Sequence, residues 1–387
     1  MKMVHYTITA LFLIALCPYS LRSQTKPDKD YLVYVLSEGA DKISLVRFGP
    51  AGARIDRQFE TGDMPIDIDG PHGIVVSPDR QFYYVTIAHG RPFGSVWKYS
   101  TKTNASVGKA ALGYFPATLD VSRDGDFLFV VNFNLHGDMV PSTVSVVSTQ
   151  TMTEVARIPT CTMPHGSRLN PHGTKQYSAC MMDDMLVEID TRTLKATRHF
   201  VVTRNAEKGL NGPPQPGRSI HSMHGNAGHG SEPPKPDDNS CSPTWAEPSS
   251  DGSSIYIACN ASSEIVEVNA NTWALVRRIP ARPGVYNLEV THDGSRLIAT
   301  NKRDQSVSIY DLKSGKEIVR LATKRKVLHG VVVSPDDRYA FVTVEGVGSE
   351  PGTVEVIDLV ALKTVATVDV AQGAAGIDFY KLTQPTP

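Results

Sequence analysis

Apolar positions along this chain come in short runs of alternating or β-branched residues, paired across tight polar turns. Ile74–Val76 leads into Ser77-Pro78-Asp79 and then into Gln81–Thr86. The phrase returns as Leu119–Val121, Ser122, Asp124-Gly125 and Phe127–Asn132, and again from Pro164 to Asn170-Pro171-His172-Gly173. Later copies run from Pro243 through Asp251-Gly252 to Asn260, from Val285 through Asp293-Gly294 to Asn301, and from Leu328 through Asp336-Asp337 to Thr343. Each continues into a third strand, such as Thr143–Val147 or Ser306–Asp311, and a fourth, such as Glu154–Ile158 or Thr364–Val368. Alternation with Asp-Gly turns predicts antiparallel strands, and no segment carries a helical period.

Six copies at a period of about 45 residues leave both ends over. Tyr31–Val35 reads as a second strand without its first, and Gly376–Tyr380 as a first strand without its partners. Together they make a seventh blade. The expected fold is all-β: a seven-bladed β-propeller of four-stranded blades over residues 31–381, closed by both termini so that no sheet edge is left to open the ring.

The strand Phe129–Asn132 and the Ser-Pro-Asp turns resemble the YVTN family of bacterial propeller repeats, across essentially residues 31 to 381. The resemblance implies the fold and leaves the activity open, because the repeat serves many functions. More distant relatives include the haem-binding propeller of periplasmic nitrite reductase, the copper-binding propeller of nitrous oxide reductase and lactonases of the phosphogluconolactone type. No motif assigns the chain to any of the three.

The N-terminus changes the compartment. Lys2, the apolar run Ile8–Leu16 and the small residues Ser20 and Ser23 predict a secretory signal over 1–23, followed by a polar leader at 24–30. A run of nine residues is too short to span a bilayer, so no transmembrane segment is expected in the mature chain. Cys17 offers a lipidation site, against which Leu16 stands where a small residue is wanted. The expected location is therefore periplasmic or secreted. Export makes Cys161, Cys180, Cys241 and Cys259 either two disulfides, in one of three connectivities, or soft metal ligands. A net charge of -1, from 39 Lys+Arg against 40 Asp+Glu, gives no reason to expect nucleic acid.

Repeat position sorts residues by face. His72, His165 and His329 share one position in the turn that starts each blade, while His89 and His136 follow second strands on the same face. The one long insertion, 204–240, connects blades there and carries His221, Met223, His224 and His229. His172 and His292 fall on the opposite turns, and His199 in a fourth strand. Imidazoles with thioethers and thiols favour copper. The metal-ligand set read from this face is His72, His165, His329, His221, His224 and Met223. The alternative is that these histidines merely fix the turns by hydrogen bonding and that the methionines pack.

A second column, two residues before each turn Ser, reads Val75, Asp120, Arg168, Glu247, Glu289, Val332 and Asp378. Charges between apolar neighbours predict side chains turned into the central channel, with Arg168 paired to an acid. Glu289, with His136, is the candidate for proton handling. A Gly-x-Ser-x-Gly elbow, a phosphate loop, His-Glu-x-x-His and Cys-x-x-Cys-His are all missing. Three readings follow: a copper-dependent periplasmic oxidoreductase acting on a small molecule or a redox partner; a non-catalytic ligand- or protein-binding scaffold; and a non-covalent haem-type tetrapyrrole carrier. The chain is expected as a monomer or homodimer.

Overall fold

The computed structural model describes residues 26–62, 68–89, 93–135, 137–214 and 240–385. The signal and Cys17, His136, and His221, Met223, His224 and His229 lie outside the described residues. The repeats form seven antiparallel sheets in a ring. Blade 1 is the closing blade: Ala374–Thr383 is its innermost strand, followed outward by Asp30–Ser37, Lys42–Gly49 and Gly52–Glu60. Blades 2 to 7 follow in chain order, with inner strands Pro71–Val76, Pro116–Val121, Pro164–Leu169, Pro243–Pro248, Val285–Val290 and Val327–Val333. Asp30, expected in the leader, is already buried in the sheet and pairs with Arg47 at 2.7 Å.

The repeated phrase has a local cause. Ser77 Oγ donates to Asp79 Oδ1 at 2.5 Å and accepts from the Phe82 amide at 3.0 Å, so one hydroxyl closes the turn from both sides. Ser122, Ser249, Thr291 and Ser334 repeat the arrangement with Asp124, Asp251, Asp293 and Asp336. Neighbouring inner strands are joined by threonines: Thr86 Oγ1 donates to the Ala117 carbonyl at 2.8 Å, and Thr343 Oγ1 to that of Ala375 at 2.6 Å. This approach explains the glycine of Pro-His-Gly. A Cβ at Gly73 would run into the Ala117 carbonyl oxygen, and one at Gly166 into that of Thr244.

Apolar side chains fill the spaces between blades; Tyr34 of blade 1 stacks on Tyr83 of blade 2 at 4.3 Å. Every inner strand also carries a register shift against its partner near its start, as between Pro71 and Ile74. A bulge there changes the parity of the pleat, so residues three apart, such as His165 and Arg168, both turn toward the axis.

The four cysteines are disulfides, Cys161–Cys180 and Cys241–Cys259, which removes them as metal ligands and fixes the connectivity. The insertion begins with a strand that the sequence reading missed: Lys208–Asn211 adds a fifth strand to blade 4 against Lys195–Val201. Asp184 fastens both ends of the insertion, accepting from Thr203 Oγ1 at 3.1 Å, Ser240 Oγ at 3.0 Å and the amides of Cys241 and Ser242 at 3.0 and 2.7 Å. Among the described residues no helix is long and apolar enough to cross a membrane.

Candidate functional site

Four side chains from the first channel-facing position meet on the axis. His72, His165, Tyr286 and His329 form a closed ring of contacts, with centroids 6.1 Å apart for His72–His165, 5.3 Å for His165–Tyr286, 5.4 Å for Tyr286–His329 and 5.0 Å for His329–His72. The blades between them contribute Ala117, Thr244 and Ala375, small enough to leave the centre to the rings.

Hydrogen bonds set the state of this layer. The Thr244 carbonyl accepts from His165 Nδ1 at 3.0 Å, so His165 Nε2 is the acceptor for the Tyr286 hydroxyl at 2.9 Å. Burial pulls His165 down to about 3 and His329 well below the usual histidine range, and it raises the Tyr286 phenol. Both imidazoles are neutral at physiological pH. His72 is oriented differently: its Nδ1 meets Glu38 Oε2 at 2.9 Å, and its Nε2 is buried without a partner.

Glu38 lies on a short turn, Glu38–Ala40, in the closing blade, at the mouth of the channel. Its second oxygen meets His89 Nε2 at 3.0 Å, so one carboxylate bridges two imidazoles. Burial raises the Glu38 carboxyl, but the two histidines outweigh it and hold it well below the ordinary glutamate range. The bond to Glu38 in turn raises His89. Lys302 sits half-buried with its Nζ 3.6 Å from the Tyr286 ring centroid, close enough to Glu345 and Glu38 for both to act on its charge. Burial lowers the Lys302 ammonium to about 8 against the pull of those two acids.

The opposite half of the mouth is apolar. Phe115, Phe133 and Met163 are buried there, with Met181 and Met182 packed against them. Phe115 meets His72 edge-on at 5.4 Å and His89 at 5.0 Å, so the apolar wall begins at the imidazoles that hold Glu38.

Below lies the charged layer. Arg168 sits 3.7 Å from Glu247 and stacks over Trp245 at 4.6 Å, within the field of Asp120, Glu289 and Asp378. Asp378 accepts from the amides of Val76 and Phe379 at 2.6 and 2.7 Å, and Asp120 from those of Val121 and Leu169 at 2.8 Å each. Burial raises Glu247 to about 7, Asp378 to about 6, and Glu289 well above the usual range, with Glu247 adding to the last. Between the layers is a cavity of about 30 Å³ lined by His72, His329, Thr118, Arg168, Trp245 and Asn287. It has room for about two waters.

The structure therefore brings His72, His165 and His329 together and places Glu289 with Glu247 one storey below. It does not present the three histidines as a ligand set: both nitrogens of His165 and Nδ1 of His72 are engaged, and among the described residues no three His, Cys, Asp or Glu side chains gather to hold a metal. Of the other histidines, His292 pairs with Asp337 at 2.9 Å and His199 donates to the Gly212 carbonyl at 3.0 Å. Sequence reasoning missed Glu38, Lys302 and Glu345. They share one repeat position at the end of the second strand, the residue after the one that pairs with the start of the inner strand, where Ala88, Phe133, Met181 and Asn260 stand in the other blades. Aligning that column would have found them.

No family profile and no curated protein matches the sequence. Solved structures do. A periplasmic gluconolactonase of Pseudomonas aeruginosa is 17% identical, with a TM-score of 0.66, over 92% of this chain and 100% of that one. Hydrazine synthase of Kuenenia stuttgartiensis is 18% identical, TM-score 0.61, over 84% and 97%. A candidate 6-phosphogluconolactonase from Bacteroides fragilis is 14% identical, TM-score 0.63, over 91% and 98%. At such identities the likeness is one of fold, and what it establishes for this chain is a seven-bladed β-propeller.

Proposed function

We propose that the channel mouth is a proton-transfer site of an exported enzyme that opens lactone rings. The observation that carries this reading is the Glu38 carboxylate held between His72 and His89 beside the half-buried Lys302. An amine that titrates at about 8 exchanges protons readily near neutral pH. In its neutral form Lys302 takes a proton from water, and the water oxygen attacks the lactone carbonyl carbon. The ring C–O bond then breaks, and the Lys302 ammonium returns the proton to the leaving alkoxide. His89, whose hold on its proton Glu38 strengthens, supplies positive charge for the carbonyl oxygen. The gluconolactonase neighbour supports the substrate class, and the Phe115–Phe133–Met163 wall favours a lactone with an apolar substituent over a bare polyol.

Hydrolysis of gluconolactone and of alkyl- and aryl-substituted lactones, followed by proton release, tests the reading. The expected rate rises with pH through about 8, where Lys302 loses its proton, and Lys302→Met lowers it about 100-fold with the fold intact by circular dichroism. Wild-type protein no faster than buffer across the panel would sink the lactonase reading and leave a binding scaffold.

The copper oxidoreductase reading moves to the insertion, where His221, Met223 and His224 would supply the ligands. Metal analysis of protein purified from its native compartment decides it: stoichiometric copper that is lost on replacing His221 and His224 supports this reading.

A further inference from the structure

The cavity between the two layers is bordered by polar atoms that the protein leaves unmatched. His72 Nε2 and Asn287 Oδ1 are buried without a hydrogen-bond partner, and both residues line it. Behind the lining, the Glu247 carboxylate is held by Trp245 and lies 3.7 Å from Arg168 Nε, and both of those residues face the void. His72, Trp245, Asn287 and Glu247 are each more than nine-tenths buried. Orphaned polar atoms of this kind are rare in folded proteins because each costs about 1–3 kcal/mol. Two such atoms aimed into one void that Arg168 also lines point to a ligand that satisfies them together.

Their chemistry says which. Asn287 Oδ1 accepts, the Arg168 guanidinium only donates, and His72 Nε2 can do either while its Nδ1–H donates to Glu38. A ligand that must both accept and donate, inside about 30 Å³, is water. A bare cation would face the Arg168 guanidinium, and a bare anion the carboxylates of the same layer.

We propose that the axial cavity binds a short water chain, of about two molecules, that joins His72 Nε2 to Asn287 Oδ1 and to the Arg168–Glu247 pair. The chain completes a hydrogen-bonded path from Glu38 at the mouth, across the His72 imidazole, to a buried store of protons. The groups facing that store come from the other blades: Asp120, Arg168, Glu289 and Asp378, with Val75 and Val332 closing the ring. Glu247 and Glu289 both favour the protonated form there, so a proton can rest in the layer and be exchanged with the mouth. This holds whether or not the mouth acts on lactones.

A high-resolution crystal structure of the wild-type protein is expected to show waters within hydrogen-bond reach of His72 Nε2 and Asn287 Oδ1. A dry cavity, or density that refines only as an ion, overturns the proposal. Infrared spectroscopy supplies the second measurement. A protonated-carboxyl band that disappears in Glu247→Gln is expected to shift on transfer into D₂O, and at least tenfold more slowly in Asn287→Leu and His72→Phe, which remove a partner from the chain. Exchange at the wild-type rate in both variants, each shown to be folded by circular dichroism, overturns the relay.

Discussion

The two storeys of the channel stand on the same strands, three residues apart, and bury polar groups in opposite ways. Three of the four rings of the upper layer are neutral: His165, Tyr286 and His329 give up charge to burial and hold one another through ring contacts and a single hydroxyl-to-imidazole bond. The lower layer gathers four carboxylates around one guanidinium. Its acids take protons because one arginine cannot compensate four charges away from water. Residue chemistry on a common frame thus decides whether a buried ring is locked or left able to titrate.

Three substitutions would break or sharpen that contrast. Arg168→Met strips the lower layer of its counter-charge and should cost about 3–5 kcal/mol at pH 8. The loss should be smaller at pH 5, where the surrounding acids are protonated; denaturant unfolding at the two pH values measures both. An equal loss at both would show that Arg168 acts through its stack on Trp245 rather than through charge.

Glu247→Gln sharpens the contrast. The folded carboxyl titrates at about 7, above the unfolded range of about 4, so the folded state binds the extra proton. Its contribution to stability is fully present below about pH 4 and lost as the pH rises through about 7. The wild-type melting temperature should therefore fall between pH 5 and 8, and the glutamine variant should fall less. Tyr286→Phe has the smallest effect: it leaves His165 Nε2 buried and unpaired at a cost of about 1 kcal/mol, and that loss should not change with pH. A pH-dependent loss would mean that the upper layer titrates after all.

The ring of blades was legible because its turn chemistry repeats: Ser77, Ser122, Ser249 and Ser334 each precede an Asp by two residues and bond to it. His72, His165 and His329 could be grouped for the same reason, since the glycine that follows each lets neighbouring blades approach. The Arg168–Glu247 pair was legible as charge among apolar columns. Glu38, Lys302 and Glu345 were not, because their shared position holds a different residue type in almost every blade and carries no recurrent letter. Cysteine pairing could not be read either, since spacing does not report which chain ends lie side by side. The added strand Lys208–Asn211 was hidden by the Gly- and Pro-rich composition of the segment it opens.

The closing blade also fixes an order of assembly in time. Among the described strands Asp30–Ser37 is the first to be synthesised, yet its inner partner, Ala374–Thr383, is the last. Until that strand arrives the ring is an open crescent, and Glu38 has no fixed place opposite His72. Ala375 and Asp378, the closing blade's share of both channel layers, travel on the same late segment. The chemistry of the mouth is therefore switched on by the final residues of the propeller, so a truncated chain should fold its middle blades and still lack a site.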